Sequence, residues 1–397
     1  MLYLEQSSRP GALQLDDYQR KARLSDQNLR VTTDGLRIPL LGLFGEMGSL
    51  LTIPKREERE TSTYQRDALL EEFGDVLWYL SNLASRQKIA LSALARAGLE
   101  RDTAPHTAIP SLRFQDLQHA RSNAPRKGKK SIENDYFALG GAVGRLISEF
   151  SMGEHWELDR SEFLRHLART FQMLVRAANN SGLSLTLAAQ NNLAKIQSRW
   201  PSKRVYLKPF DQNYEKYEQV PRHIEMYFDE RTIGGNTYVY QSCNGINIGD
   251  RLTDNKGEED DYRFHDVFHL AYLAILGWSP VMRALLKVKR KSRPSVDENQ
   301  DGARAIIIEE GIATWIFNHG LDHHYFRYVK KLDYSLLKAV RTLVAGYEVE
   351  RCPLWQWEEA ILEGFRVFRL LRRKRRGWIV ADFKAHSISY SETQPQH

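Results

Sequence analysis

The sequence predicts a mainly α-helical protein in which tandem helical modules are followed by an α+β domain with a small β-hairpin. Apolar residues recur at helical spacing through the first 200 residues, and a pattern within 43–84 returns within 139–178. After Trp200-Pro201 the pattern changes, and residues 223–242 carry β-favouring residues on both sides of Gly234-Gly235. A chain of 397 residues also exceeds one ordinary core. The predicted segments are a first module 1–100, a linker 101–132, a second module 133–200 and a C-terminal domain 201–397.

The first module is a run of helices between Leu15 and about Leu99. Its apolar residues are spaced for burial along one helix face, as in Leu69, Leu70, Phe73, Val76, Leu77, Leu80 and Leu83. This spacing predicts an antiparallel helical hairpin. Residues 101–132 then combine three prolines with a basic run, which is typical of a linker or surface loop.

Residues 136–199 repeat the pattern of the first module. LFGEMGSLL at 43–51 aligns with LGGAVGRLI at 139–147, keeping the first leucine, two glycines and the final apolar pair. LLEEFGDVLWYLSNLA at 69–84 aligns with FLRHLARTFQMLVRAA at 163–178 in its apolar positions. A tandem duplication is therefore predicted, because a helical hairpin can bury its apolar face by packing on a copy of itself.

The second copy has lost the acidic residues of the first. At the aligned positions, Glu46 becomes Ala142, Ser49 becomes Arg145, Glu72 becomes His166 and Asp75 becomes Arg169. Acidic side chains that only solvate a surface have no reason to disappear together while the apolar pattern stays. The carboxylates are therefore candidates for a function beyond folding.

The acidic residues of the first copy have the spacing of a metal site. Glu72 and Asp75 are three residues apart and project from one face of a helix. Glu46 and Ser49 have the same spacing on an earlier helix, so antiparallel packing would bring the two pairs together. Converging carboxylates repel one another unless a cation lies between them, and hard oxygen ligands suit Mg²⁺ or Mn²⁺. The alternative is a solvated acidic helix face.

GLFGEMGSLL followed by LLEEFGDVLWYLSNLA resembles the MazG and dimeric-dUTPase superfamily. The motif of that superfamily is a Glu-x-x-Glu helix followed by a Glu-x-x-Asp helix. The resemblance implies that Glu46, Glu72 and Asp75 are catalytic residues that bind Mg²⁺. It also implies a nucleoside triphosphate substrate, cleaved between the α and β phosphates into the monophosphate and pyrophosphate. Ser49 departs from the pattern, since the family places Glu there.

The basic replacements in the second copy have two interpretations. Arg145 and Arg169, together with His166, could supply cations that bind the phosphates of the substrate. They could equally be neutral changes on a solvated surface. We favour a structural role for this copy, in which it completes the helical packing of the first.

The C-terminal domain is predicted to begin with a β-hairpin, since residues 223–242 carry β-favouring residues on both sides of Gly234-Gly235. Helical patterns follow at about 262–278, 299–319, 333–349 and 354–376. The domain resembles the C-terminal module appended to some long MazG-like proteins. That resemblance implies no particular chemistry.

A second candidate metal site lies in the C-terminal domain. His265 and His269 are one helical turn apart, as in helical His-x-x-x-His zinc sites. Glu309 and Glu310 stand in an otherwise apolar helix, where a buried acid needs a partner. Two histidines and a carboxylate suit a transition metal. A metal-dependent hydrolase centred on these residues is therefore one alternative function.

Two basic segments offer a different explanation. Either glutamate could pair with Arg304, Arg263 or a basic residue of KVKRKSR at 287–293. That segment and RLLRRKRR at 369–376 are typical of solvated helix faces, and nucleic acid is a secondary candidate partner. A nucleotide-sensing or nucleic-acid-binding protein with an inactive MazG site is thus a further alternative.

The bulk composition is that of a globular protein, and its charge is compatible with an anionic ligand, either nucleotide phosphate or a nucleic-acid backbone. Fifty-seven Lys and Arg against fifty Asp and Glu give a net charge of +7. Cys243 and Cys352 stand alone, so neither a disulfide framework nor a cysteine zinc site is indicated. Without a signal-like start or an apolar run near the ~18 residues of a membrane span, we expect a cytoplasmic protein with no membrane partner. The sequence leaves open whether the protein forms a homo-oligomer.

Overall fold

The computed structural model of the chain describes residues 13–26, 35–60, 66–99, 111–118, 128–151 and 160–395. The chain divides into two compact units, Met1–Ser202 and Lys203–His397, each with its own hydrophobic core. The described part of the first unit is helical, and the second unit combines helices with a five-stranded antiparallel sheet. The predicted mainly α fold class with a C-terminal α+β region is therefore confirmed.

The helices of the first unit are amphipathic and bury their apolar faces in a common core. They are α1 (Leu15–Leu24), α2 (Arg37–Glu60), α3 (Arg66–Arg86), α4 (Leu91–Leu99), α5 (Lys129–Ser151), α6 (Arg160–Asn180) and α7 (Leu185–Arg199). Phe73 and Leu77 of α3 are fully buried, as are Leu167 and Leu174 of α6. The 3.6-residue helical period places these residues on one stripe of each helix.

The helices α5, α6 and α7 follow one another in the same way as α2, α3 and α4. The third helix of each set packs on the second helix of the other set. α7 packs on α3, and α4 packs on α6. A Cβ added to Gly74 of α3 would lie 2.8 Å from the Ala188 carbonyl oxygen of α7. At the other crossing, a Cβ on Gly98 would lie 3.1 Å from the Ala168 carbonyl oxygen. Glycine thus permits close helix contact at both crossings. The duplication of the sequence itself stays a prediction.

Part of the predicted linker 101–132 packs into the first unit. Within its described residues 111–118, Phe114 is fully buried and its ring lies edge-on to Tyr18, with 5.5 Å between the ring centroids. α5 also begins inside the predicted linker, at Lys129. This part of the segment is therefore core and helix, and not an exposed loop.

The second unit is a sheet covered by helices. Its strands are β1 (His223–Ile233), β2 (Asn236–Cys243), β3 (Ile246–Asn247), β4 (Arg376–Asp382) and β5 (Ser387–Ser391), in the order β3-β2-β1-β4-β5. Its helices are α8 (Asp266–Leu276), α9 (Pro280–Leu285), α10 (Pro294–Asn299), α11 (Ala303–Asp322), α12 (Tyr334–Leu343) and α13 (Leu354–Lys374). Neighbouring strands are antiparallel throughout.

The predicted hairpin is present as β1 and β2, but it belongs to a larger sheet than expected. Gly234 and Gly235 both have positive φ, at 60° and 82°, as a tight hairpin turn requires. β4 and β5 extend the sheet on the other side of β1. The sequence pattern did not predict β4, because the basic segment 369–376 runs from the end of α13 directly into that strand. Arg375, in the left-handed conformation, ends the helix.

α8 is the central helix of the second unit. All of its residues are buried, as expected of a helix that is apolar on every side. It packs against α13, where Gly364 allows close approach to Ala271. Asp266 and His269 are carried into this core with the apolar side chains. Among the described residues, no helix is both long and apolar enough to cross a bilayer.

Candidate functional site

Three carboxylates of the first unit converge between α2 and α3. Glu46 projects from α2, and Glu72 and Asp75 project from neighbouring turns of α3. One oxygen atom from each side chain lies within 4.8 Å of the others. The Asp75 side chain is only 13% exposed. The antiparallel contact between the two helices thus brings the three predicted residues together, and we name this group the acid cluster.

Burial raises the pKa of each acid in this cluster, and repulsion by neighbouring carboxylates adds to it. The pKa of Glu72 is raised to about 8, first by burial and then by the charges of Glu46 and Asp75. Burial followed by the Asp75 charge raises the pKa of Glu46. Glu72 Oε2 is also buried without a hydrogen-bond partner. A cation held between these oxygens would relieve the repulsion and supply the missing partner.

α7 contributes two polar residues to the acid cluster. Asn192 Nδ2 donates a hydrogen bond to Asp75 Oδ1 at 2.9 Å. Lys195 Nζ lies 2.6 Å from Asp75 Oδ2 and 3.3 Å from Glu71 Oε1. Burial raises the pKa of Asp75, while the ammonium group of Lys195 opposes that rise. Asp75 is therefore held by partners on both of its oxygens.

Sequence reasoning missed Asn192 and Lys195. The available signal was their spacing of three residues on a helix whose other face is apolar, which places both on one polar strip. The pattern could not show which acids this strip would face. That depends on the packing of α7 against α3.

Three other polar residues near the acid cluster have different surroundings. Ser49 is exposed on α2, one turn after Glu46. Glu71 pairs with Lys195. Glu57 lines a cavity of about 260 Å³ between α2, α3 and α5, and its Oε1 atom is buried without a hydrogen-bond partner. Ile53 and Leu69 supply part of the apolar wall of this cavity.

The two arginines predicted to bind phosphate lie on solvent-facing positions. Arg145 is exposed on α5 and Arg169 is exposed on α6, where it donates a hydrogen bond to Gln172. His166 lies 3.6 Å from Glu162. The phosphate-binding role of the two arginines stays a prediction.

In the second unit, the predicted residues of α8 and α11 meet in the core. His269 Nδ1 lies 2.8 Å from Glu309 Oε1, and both side chains are fully buried. The other oxygen of Glu309 accepts a hydrogen bond from the Val281 backbone N–H at 2.9 Å. Both Glu309 oxygens therefore have hydrogen-bond partners, and Glu309 lies on the Nδ1 side of the His269 ring. Glu310 Oε2 approaches the opposite side of the ring, 3.4 Å from His269 Nε2.

His265, the residue immediately before α8, completes this group. Its Nε2 atom lies 3.1 Å from Asp266 Oδ1 and 3.7 Å from Glu310 Oε2. Its ring stacks on Tyr262, with 4.3 Å between centroids and 2° between planes. Gln241 of β2 donates a hydrogen bond to Asp266 Oδ2. Asp266 was not predicted as a site residue, although it stands directly beside His265 in the sequence.

The pKa values in this group respond to the close opposite charges. Burial lowers the pKa of His269, but the charges of Glu309 and Glu310 outweigh burial and raise it well above its usual value. The pKa of Glu310 is lowered, because the two histidines outweigh the effect of burial.

Two of the alternative arginine partners for Glu309 and Glu310, Arg263 and Arg290, are engaged elsewhere. Arg263 bonds Glu230 at 2.8 Å and Asp254. Arg290, in the basic segment 287–293, is 1% exposed and pairs with Asp301 at 2.7 Å. The expectation of a wholly solvated segment is therefore wrong at Arg290.

The second basic segment, 369–376, also forms intramolecular ion pairs. Arg372 lies 2.6 Å from Asp261, and Arg375 contacts the same carboxylate. Such pairs reduce the positive charge left for a nucleic acid. That partner stays a prediction without support.

Comparison with known proteins identifies the second unit. Residues 205–394 match the family model described as MazG C-terminal domain. No curated protein matches the chain, and no solved structure matches it either. The match contains His265 and His269 and lies outside the acid cluster. The match to this family model suggests a role like that of nucleotide pyrophosphohydrolases. This match in the second unit supports a MazG-like protein.

Proposed function

We propose that the protein is a Mg²⁺-dependent pyrophosphohydrolase that converts nucleoside or deoxynucleoside triphosphates to monophosphates and pyrophosphate. The acid cluster of Glu46, Glu72 and Asp75 is the proposed site. The observation that carries the proposal is the convergence of these three side chains from two helices within 4.8 Å. Such an arrangement of hard oxygen atoms is typical of sites for Mg²⁺ or Mn²⁺.

The donor atoms of the acid cluster fit a hard divalent cation. All three residues offer carboxylate oxygens, and Glu72 Oε2 is a buried oxygen without a hydrogen-bond partner. Glu46, Glu72 and Asp75 would hold the ion. When bound, Mg²⁺ would neutralise charge on the triphosphate and make phosphorus more susceptible to attack by water. Water would add at the α phosphorus, and the bond to the β phosphate would break with pyrophosphate as the leaving group.

The residues of α7 would orient the acid cluster and balance its charge. Asn192 holds one oxygen of Asp75, and the Tyr18 hydroxyl in turn donates a hydrogen bond to Asn192 Oδ1 at 2.9 Å. Lys195 provides a positive charge beside Asp75 and Glu71. A phosphate group entering here would meet this ammonium, which can hydrogen-bond anionic oxygens.

The cavity beside Glu57 is the proposed site for the nucleobase. Leu69, in its wall, is one helical turn before Glu72 on α3, so the cavity borders the acid cluster along that helix. Apolar walls with a few polar groups are typical of small-molecule sites. The buried Glu57 Oε1 atom would be available to accept a hydrogen bond from a base.

A panel of nucleotides tests the proposed function. The purified full-length chain would be incubated with individual NTPs and dNTPs plus Mg²⁺, and pyrophosphate and monophosphate would be quantified. We expect release of pyrophosphate from at least one nucleotide, and its loss in Asp75→Asn. Asp67→Asn is the matched control, because Asp67 is exposed two turns earlier on the same helix.

Two results would count against the proposal. One is the absence of turnover for every nucleotide in a protein with intact helical circular dichroism. The other is equal activity in Asp75→Asn and Asp67→Asn, since the acid cluster would then not be the site. Orthophosphate as the product, in place of pyrophosphate, would correct the bond that is cleaved.

A further inference from the structure

His265 and His269 each have one ring nitrogen engaged and the other directed at carboxylates. His265 Nδ1 lies 2.9 Å from the Tyr262 carbonyl oxygen, which can only accept a hydrogen bond. His269 Nδ1 lies 2.8 Å from the Glu309 carboxylate. With Nδ1 of each ring donating a hydrogen bond, the two Nε2 atoms are the positions open to a metal ion, which would displace any proton held there. A carboxylate or carbonyl behind the outer nitrogen is the arrangement that orients metal-binding histidines in proteins.

Two carboxylates face the same Nε2 atoms. Asp266 Oδ1 lies 3.1 Å from His265 Nε2. Glu310 Oε2 lies 3.7 Å from His265 Nε2 and 3.4 Å from His269 Nε2. One possible ligand atom from each of His265, Asp266 and His269 lies within 4.8 Å of the other two. We name the four side chains, including Glu310, the histidine cluster.

Burial and charge both favour a cation in the histidine cluster. His269 is 0% exposed, and its Nε2 atom makes no hydrogen bond. Its 3.4 Å approach to Glu310 is an ion-pair contact. Asp266, Glu309 and Glu310 bring three carboxylates to the two histidines. Charges removed from water require close compensation, which a divalent ion would provide.

We propose that the histidine cluster binds one divalent transition-metal ion. Nε2 of His265, Nε2 of His269 and the carboxylates of Asp266 and Glu310 would be the ligands. Imidazole nitrogen combined with carboxylate oxygen suits Zn²⁺, Fe²⁺, Co²⁺ or Ni²⁺ better than Mg²⁺, which prefers oxygen alone. The Glu310 side chain is 38% exposed, so the ion has a route from solvent.

Glu309 has a positioning role in this proposal. Its two oxygens are engaged by His269 Nδ1 and the Val281 backbone N–H, so it lies behind the histidine ring. It would fix the ring orientation and increase the electron density at Nε2. Gln241 would act similarly on Asp266, because its side-chain amide donates a hydrogen bond to Asp266 Oδ2.

The proposal is independent of the pyrophosphohydrolase function. The histidine cluster and the acid cluster lie in different units, and the histidine cluster falls within the region matched by the MazG C-terminal domain model. The two sites also differ in donor chemistry. Metal binding to the histidine cluster can therefore be measured while the acid cluster is saturated with Mg²⁺ or disabled by mutation.

Titration with Co²⁺ tests this site in the full-length protein. The protein would be stripped with a chelator and titrated in excess Mg²⁺, which occupies all-oxygen sites, while visible absorption reports Co²⁺ bound to nitrogen. We expect one Co²⁺ per chain, displaced by Zn²⁺, and the same stoichiometry in Asp75→Asn. His269→Asn should remove this signal. Glu309→Gln should weaken binding by about tenfold to hundredfold, as expected for an orienting carboxylate.

Glu310→Gln keeps the test decisive if the buried His269 variant fails to fold. This change lies at the exposed edge of the histidine cluster, and we expect at least a tenfold loss of Co²⁺ affinity. Glu363→Gln is the matched control, because the Glu363 side chain is 39% exposed and pairs with Arg366 on α13. Lack of Co²⁺ binding by the wild-type protein would overturn the proposal. So would equal affinity in Glu310→Gln and Glu363→Gln.

Discussion

Asn192 of α7 donates a hydrogen bond to Asp75 of α3 at 2.9 Å, so the last helix of the first unit fixes an acid on a much earlier helix. The contact depends on the close crossing of these helices at Gly74. Lys195 extends the same polar strip to the other oxygen of Asp75. The proposed site therefore needs α7, so residues 133–200 contribute more than a packing surface.

Replacement of Lys195 tests the contribution of this strip to catalysis. Lys195→Met should lower kcat/KM for pyrophosphate release by roughly tenfold to hundredfold, because a preorganised cation beside the anionic substrate is removed. Lys21→Met is the control, since Lys21 is exposed near the end of α1. Equal kinetics in the two variants would assign Lys195 a structural role only.

Gly74 should tolerate no side chain, because a Cβ there would lie 2.8 Å from the Ala188 carbonyl oxygen. Gly74→Ala is expected to lower the free energy of unfolding by about 1–3 kcal/mol through overpacking. Gly144→Ala, with nothing within 4 Å of its added Cβ, should instead raise it by about 0.5–1 kcal/mol through helix propensity. Urea denaturation measures both. Similar shifts in the two variants would contradict the close crossing.

Asp211 should make the second unit sensitive to acid. Burial raises the pKa of this carboxylate, but a hydrogen bond from Arg222 at 2.6 Å and the charge of Arg283 at 3.0 Å outweigh it, so the pKa is lowered. A folded-state pKa below the unfolded value adds stability at neutral pH, and this stability is lost as the pH falls through the folded value. Asp211→Asn should cost about 3 kcal/mol at pH 7.

The pH dependence distinguishes this effect from a simple packing defect. The stability difference between wild type and Asp211→Asn should shrink below pH about 4, where the carboxyl group begins to take up a proton. Asp322→Asn, at an exposed position at the end of α11, should match the wild type throughout. A difference that stays constant down to pH 3 would show that lost ion pairing is not the cause.

Glu57 should influence the choice of nucleobase. If the base occupies the cavity, Glu57→Gln replaces an acceptor oxygen with a donor and should change the ratio of kcat/KM between bases by roughly tenfold or more. Glu58→Gln, at the exposed neighbouring position, is the control. An unchanged order of nucleotides in Glu57→Gln would place the base elsewhere.

The helical pattern predicted the acid cluster but not its partners. Glu72 and Asp75 share a face because their spacing matches the helical period, and antiparallel packing was enough to bring Glu46 to them. The contacts of Asn192 and Lys195 with Asp75 arise from a tertiary crossing between helices far apart in sequence. Periodicity gives the buried face of α7 but not the helix that this face meets.

In the second unit, the sequence predicted the residue types of the site better than their roles. His265, His269 and Glu310 converge, whereas Glu309 lies behind His269 and would orient it. Adjacent residues on a helix point about 100° apart, so only one of two neighbouring glutamates can face the same point. β4 was missed for a different reason, because the arginines before it continue the composition of α13.

Ser49 provides the last test of the acid cluster. It is exposed one turn after Glu46, at the position where the resemblance to the MazG superfamily places Glu. Ser49→Glu would add a charged ligand to the same helix face, so we expect the Mg²⁺ concentration for half-maximal activity to fall roughly tenfold. Ser49→Gln has a similar size without the charge and should leave that concentration unchanged. If the wild type binds nucleotides without turnover and Ser49→Glu hydrolyses them, the natural chain is a nucleotide sensor. If Ser49→Glu alters neither metal dependence nor turnover, the position does not face the ion.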